Sequence, residues 1–408
     1  MPAASRARFA FELGLDICAF LLLPILVLAS RGAAPLGAVA GVCALGLALQ
    51  NGAIAWRRVR GWGLLFAAFI VWGLASAFWA VDPQHSLAIA LRLTGLFLAG
   101  LSLMAAAGEI VAPDRLMASL AAGLVVALAL TLVQFSTHGA LTGMLSRRAF
   151  IEPALNHAED GFGFLLLPLG AALFLSGRRW IAAVLVAAAT AVICLLVGEA
   201  ARLAFLFGVV VTALLYARRR WLVRIAATAS VVVILAAPVI FPPLAGIDAA
   251  RHAAQEVKSS MWHRLAIWSF VGSRIAERPA FGWGLDSSRA IPGGDAPIPD
   301  GHPGQTMLPL HPHNAPLQVW LELGLPGALL FALFAARLWL ALGRVPWPPL
   351  YAAAAGGSLV TALTVALSSY GVWQEWLIAS EFLTLFLILV MARVAAQPMP
   401  DRRLGSIS

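Results

Sequence analysis

The chain is divided almost from end to end into apolar runs of about twenty residues, the length a helix needs to cross a bilayer's hydrocarbon core. Twelve such spans are predicted, over about 11–30, 33–55, 62–80, 86–107, 117–136, 160–177, 180–198, 201–217, 222–241, 314–342, 350–370 and 375–394. Composition agrees: 61% of residues are hydrophobic and only 12% charged, where a soluble domain carries about 25%. So little charge cannot clothe a soluble body of 43.0 kDa, and the fold class is an all-α polytopic membrane protein. The first run ends in Leu28, Ala29 and Ser30, somewhat like a signal-peptide cleavage site. Glu12 and Asp16 inside it, and the eleven runs behind it, read instead as a retained anchor. Cys18, Cys43 and Cys194 all lie in apolar runs, where they act as small hydrophobes rather than a disulfide framework.

The net charge of +9 sits in short arginine clusters between the apolar runs, which is a signal of membrane orientation and not of a nucleic-acid surface. With the N-terminus inside, seventeen arginines fall in cytoplasmic segments, among them Arg57, Arg58, Arg60, Arg178, Arg179, Arg218, Arg219 and Arg220. The short outer loops hold four: Arg31, Arg147, Arg148 and Arg202. Cationic loops stay inside, so both termini are expected in the cytoplasm. Residues 1–241 then carry spans one to nine, 314–394 carry spans ten to twelve, and 395–408 form a cytoplasmic tail.

Between them, residues 242–313 make one large periplasmic loop, and structureless loops of that length are uncommon unless functional. Its first part, 248–278, is predicted as an amphipathic helix, with Val257, Met261, Leu265, Trp268 and Ile275 at helical spacing. The part from 279 to 312 is rich in Gly and Pro and must be irregular. Together they would roof whatever the bundle encloses. No internal repeat relates the two halves, which counts against an inverted-repeat transporter.

The densest polar cluster lies where this loop re-enters the membrane, at His311-Pro312-His313-Asn314-Ala315-Pro316-Leu317-Gln318. Asn314 suits a helix N-cap and Pro316 a first turn. The tenth span should start here, with His313 above its positive end. Asn314, Gln318 and Glu322 follow at intervals of four, a polar stripe entering the membrane on one helix face. Gly324 and Gly327 permit close packing, and Pro326 is the expected kink. A metal reading of His302, His311 and His313 is weaker, because a hard cation wants clustered carboxylates and the loop has no Asp-x-Asp pair. Arg202 opens the eighth span beside Glu199, and Arg264 sits at the edge of the loop helix's apolar face. Taken alone, Arg202 reads as a snorkelling anchor or a salt bridge to Glu199, and Arg264 as a solvated helix charge. Arg92 reads as a snorkelling cation, and Arg147-Arg148 has no nameable partner.

His313-Asn314, then Gly324 and Gly327, resembles the signature of bacterial O-antigen ligases within the wider ligase and polymerase membrane family. Trp79-Ala80-Val81-Asp82-Pro83 with Ser86 is similar to that family's first outer loop, and Arg202 to the arginine opening an outer-facing span. The loop helix from His263-Arg264 to Trp268, and its exit Arg278-Pro279-Ala280-Phe281-Gly282-Trp283-Gly284, resemble the family's also. Ala201 and Leu203 depart from the Ser and Gly usual around the arginine.

The resemblance implies a GT-C-like glycosyltransferase of the bacterial inner membrane with its site facing the periplasm. The donor would be a glycan on undecaprenyl pyrophosphate, the acceptor a sugar hydroxyl of lipid A–core. A histidine suits the general base that a sugar hydroxyl requires. A pyrophosphate leaves as an anion, so it needs cations, here Arg264 and Arg202, and neither metal nor cofactor is expected. His311, Asn314, Gln318 and Glu322 would support the base. A polysaccharide polymerase or protein O-oligosaccharyltransferase of the same superfamily is the nearest rival. From other classes come a lipid-glycan flippase and a purely structural scaffold.

Overall fold

The computed structural model describes residues 3–146, 152–247, 259–298 and 304–397. The first half runs through α1 (Ala3–Leu28), α2 (Ala33–Gln50), α3 (Ala53–Ser76), α4 (Pro83–Ala106), α5 (Pro113–Ser136) and the short α6 (Ala140–Ser146). Next come α7 (Asn156–Leu175), α8 (Arg179–Leu195), α9 (Glu199–Leu235) and α10 (Ala237–Ile240). The long loop carries α11 (Ser259–Glu277), and α12 (Ala315–Arg344), α13 (Pro349–Ser368) and α14 (Glu375–Ala395) close the chain. Ten of these helices are long and apolar enough to cross a membrane. The apolar α8 has 17 residues, and α9 breaks at Arg218 (φ −142°, ψ 41°) within its arginine cluster. Those two features account for the twelve spans expected from hydropathy. Most large buried side chains come from α1, α2, α4, α5, α7, α13 and α14, which share one continuous apolar core.

Span ends follow local chemistry. The Asp82 side chain accepts from the His85 amide at 3.0 Å and Pro83 opens α4. Asn314 does the same for α12, accepting from Leu317 N–H at 3.0 Å, as its N-cap position predicts. At the other end of the bundle, Glu12 and Asp16 are buried but not bare. Arg115 meets Asp16 at 2.5 Å and Glu12 at 3.6 Å, tying α1 to α5.

Where the long loop meets the bundle, the expected geometry is corrected in two places. The break in α12 falls at Gly324 (φ 63°, ψ −159°) and not at Pro326. Its cause is the 279–284 segment, which lies along α12 as irregular backbone: Trp283 N–H donates to the Leu321 carbonyl at 2.9 Å and Gly284 N–H to that of Glu322 at 2.8 Å. Leu325 N–H donates back to Pro279 at 3.0 Å, and the Trp72 indole caps the Leu323 carbonyl at 2.9 Å. Non-helical backbone at membrane depth survives only where protein satisfies it, and here protein does. A Cβ on Gly324 would stand 2.5 Å from the Ala280 carbonyl oxygen, and one on Gly282 (φ 71°) 2.5 Å from the Glu322 backbone. The two glycines therefore face each other's strand for lack of room.

The second correction concerns the loop helix. Among the described residues it runs Ser259–Glu277; Ile267, Val271 and Ile275 pack with Trp283, Leu317 and Leu321, and Leu265 is buried as well. Met261, expected on that face, is exposed. The predicted start at 248, Val257, His302, Arg147, Arg148 and the tail beyond 397 lie outside the described residues.

Candidate active site

The re-entry segment places His313 in the left-handed region (φ 53°), a conformation that costs a non-glycine residue of order 1 kcal/mol or more and concentrates at functional sites. This turn aims the ring at the end of α13, where Nδ1 lies 2.5 Å from the Ser369 carbonyl oxygen. A carbonyl can only accept, so Nδ1 carries the proton and the lone pair of the neutral ring is on Nε2. The two nitrogens thus have fixed and different roles. Trp268 of α11 donates to the Pro312 carbonyl at 3.0 Å, fastening the segment to the loop helix.

His311 packs its ring 4.3 Å from that of His313 and its Nδ1 accepts from the His313 amide at 3.3 Å. Burial, His313, Arg289 and Arg264 push its pKa down to about 3, so it stays neutral. For His313, burial again leads the downward shift; the Ser369 contact opposes it, while Arg264 and His263 add to it. Arg264 is itself lowered by burial, an effect that Glu199 counteracts. Arg264 and His263 of α11 thus act electrostatically on His313, and Arg264 and Arg289 on His311. Arg202, in the first turn of α9, acts electrostatically on Glu159 of α7.

The polar stripe on α12 is present but used differently from a cavity lining. Asn314, Gln318 and Glu322 are all buried. Glu322 receives four hydrogen bonds: Asp286 N–H at 2.7 Å, Ser288 Oγ and Trp373 Nε1 at 2.5 Å each, and Gln318 Nε2 at 3.1 Å. Gln318 Oε1 takes Val372 N–H at 2.9 Å. The stripe therefore clamps two irregular segments, 284–288 and the 369–374 turn between α13 and α14, to one helix. From the other side His85 meets Asp286 at 2.8 Å, and Ser86 Oγ donates to the Leu285 carbonyl at 2.7 Å. No third His, Cys, Asp or Glu side chain joins His311 and His313 in a metal-sized group among the described residues.

Sequence reasoning missed the 369–374 turn. A signal was there: Ser369-Tyr370-Gly371 is a polar interruption between two spans on the same side as His313. It also missed the head of α7, because the sixth span was started at 160, whereas the helix begins at Asn156 and carries Glu159 and Asp160, 1% and 2% exposed, inside the fold. Arg92, read as snorkelling, pairs with Glu375 at 3.2 Å.

Residues 183–332 match the family model described as O-antigen ligase. That stretch includes Arg202, the loop helix, His313 and the α12 stripe. A relative from Rickettsia prowazekii (strain Madrid E) is 26% identical over 340 residues, covering 80% of this chain and 79% of its own. One from Rickettsia typhi (strain Wilmington) shows the same identity and coverage. A third, from Rickettsia conorii (strain Malish 7), is 35% identical over 136 residues, 32% of each chain. All three bear the provisional name polysaccharide ligase. A helical membrane bundle whose residues 183–332, the polar re-entry site among them, are similar to the O-antigen ligase family is thus what this sequence builds.

Proposed function

We propose that the protein is an inner-membrane glycosyltransferase that moves a glycan from undecaprenyl pyrophosphate to a sugar hydroxyl of lipid A–core, without a metal. Both termini lie in the cytoplasm and the His313 site faces the periplasm, in keeping with the arginine distribution. The observation that carries the reading is the held imidazole: His313 has Nδ1–H fixed on a carbonyl, its lone pair therefore on Nε2, and a pKa kept low by burial and Arg264.

A base of that kind takes the proton of the acceptor hydroxyl as its oxygen attacks the anomeric carbon. The bond from that carbon to the pyrophosphate oxygen breaks, and the pyrophosphate departs with both electrons as an anion. Arg264, part-buried and close to His313, offers a planar fork of donors for the developing charge. Arg202 supplies a second cation near the head of α9. The family match and the relatives' names support ligation of a glycan; the donor, the acceptor and the residue roles are our assignment. Reconstitution into nanodiscs with a lipid-pyrophosphate-linked glycan and purified lipid A–core, in EDTA, should yield the extended lipid. Transfer only to a second lipid-linked glycan would make the protein a polymerase, and dependence on a divalent ion would remove the arginines from the leaving-group role.

A further inference from the structure

The Ser369 carbonyl that fixes the His313 tautomer sits on a turn with little rigidity of its own. Ser369 has left the helix (φ −125°, ψ −72°) and Gly371 follows two residues later. Something must hold it. Gln318 and Glu322 grip Val372 and Trp373 from one side. On the other side stands Tyr370, the residue next to the carbonyl, and its grip comes from the head of α7.

The Tyr370 hydroxyl lies near enough to the Asp160 carboxyl group to interact with it. Its ring stacks on His157 with centroids 5.3 Å apart and meets Trp376 edge-on at 4.9 Å, while His157 meets Trp376 at 4.4 Å. His157 is in turn anchored through Nδ1 to the Ala154 carbonyl at 3.0 Å. Asp160 is 2% exposed, and its Oδ1 has no hydrogen-bond partner among the described residues. A carboxyl group at such a place is costly, and ionisable groups retained within membrane helices mark function more often than packing. The contact it keeps leads, through one tyrosine and one peptide unit, to the nitrogen of His313 that must bear the proton.

We propose that Asp160 and Tyr370 are positioning residues for His313, holding the Ser369 carbonyl where it keeps the imidazole in the Nδ1–H tautomer with its lone pair on Nε2. The proposal rests on the reading of His313 as the base, and adds that the head of α7, some 150 residues away in sequence, sets that base. The groups facing His313 are Arg264 and His263 of α11 and the neighbouring His311; each opposes or fails to stabilise an imidazolium, so Ser369 is the contact favouring protonation.

The test uses the full-length protein in nanodiscs with 15N-labelled histidine, the His313 signals being assigned by their loss in His313→Ala. Wild type should show the Nδ1–H tautomer. Tyr370→Phe and Asp160→Leu should populate the Nε2–H form and lower kcat about tenfold, the scale of one lost hydrogen bond. KM for the lipid-linked donor should stay unchanged, and the acid limb of the pH–rate profile should move to lower pH, because the contact that favours protonation is weakened. Asp160→Asn, whose amide oxygen can accept from the tyrosine, should restore both tautomer and rate. Wild-type tautomer and kcat in Tyr370→Phe would overturn the proposal, as would a raised donor KM with kcat intact. Because the tautomer is read without turnover, a protein that transfers no glycan yet changes tautomer in Tyr370→Phe contradicts the proposed function and upholds the positioning.

Discussion

Removing the Glu322 carboxyl group should release the long loop from the bundle. In Glu322→Ala, four donors that now converge on it lose their acceptor. A buried donor left unsatisfied costs about 1–3 kcal/mol. Ser288 and Gln318 have rotatable side chains that can find other partners. The Asp286 amide is fixed by its backbone, and the Trp373 indole is wedged at 7% exposure. Counting only those two gives roughly 2–6 kcal/mol, with about 4 kcal/mol as a central value. At about 2 °C per kcal/mol for a large chain, the melting temperature in detergent should fall by roughly 8 °C. Glu322→Gln keeps one acceptor oxygen and should lose less than half of that. Trypsin cleavage after Arg289, one residue beyond the clamped Ser288, should quicken in step. A Glu322→Ala protein that melts within about 1 °C of wild type, with Arg289 no more susceptible, would show that the four contacts do not hold the loop.

Four further outcomes are expected. Arg264→Ala should raise donor KM about tenfold or more, with Arg264→Lys intermediate, since a charge-assisted phosphate contact contributes about 1.5–3 kcal/mol; equal kinetics in all three proteins would return Arg264 to the helix surface. Activity should hold as pH falls through 6.5, the ordinary histidine value, and fail only below it, because the folded pKa of His313 is depressed. Both His311 and His313 bind protons more readily unfolded than folded, so their contribution to stability is complete above about pH 6.5 and is lost as pH falls toward the folded values; a melting temperature that rises on acidification would contradict that sign. A cysteine at Gly293 should react with an impermeant maleimide in intact spheroplasts, and labelling only after the membrane is opened would reverse the orientation.

The spans were legible because a bilayer imposes one length and one polarity on every crossing helix, and those are properties of the sequence alone. The α12 stripe was legible too, since Asn314, Gln318 and Glu322 recur at one helical face and Asn314 caps. What the stripe grips was not. The break at Gly324 depends on the backbone of Ala280 passing 2.5 Å from where its Cβ would stand, a contact between distant segments that no local pattern encodes. Pro326 drew attention because proline breaks helices through local sterics. The buried face of α11 turned toward Ile267 and Val271 because Trp283 and Leu317 are there to receive them; periodicity names candidate faces, and the partner chooses. Asp160 stayed hidden for a similar reason. At the edge of an apolar run a carboxylate looks like a span boundary, and only the fold shows it inside, against a tyrosine 210 residues on.

The central claim is that His313 removes the acceptor's proton, and single-turnover transfer by His313→Ala tests it most directly. With the lipid-linked glycan pre-bound and acceptor in excess, the variant should bind donor with wild-type affinity, melt with the wild type, and transfer glycan at least about a hundredfold more slowly, the lower range for a lost general base. His311→Ala under the same conditions should keep a larger share of the rate, its ring being neutral and turned to the His313 amide. Transfer by His313→Ala at the wild-type rate would contradict the account.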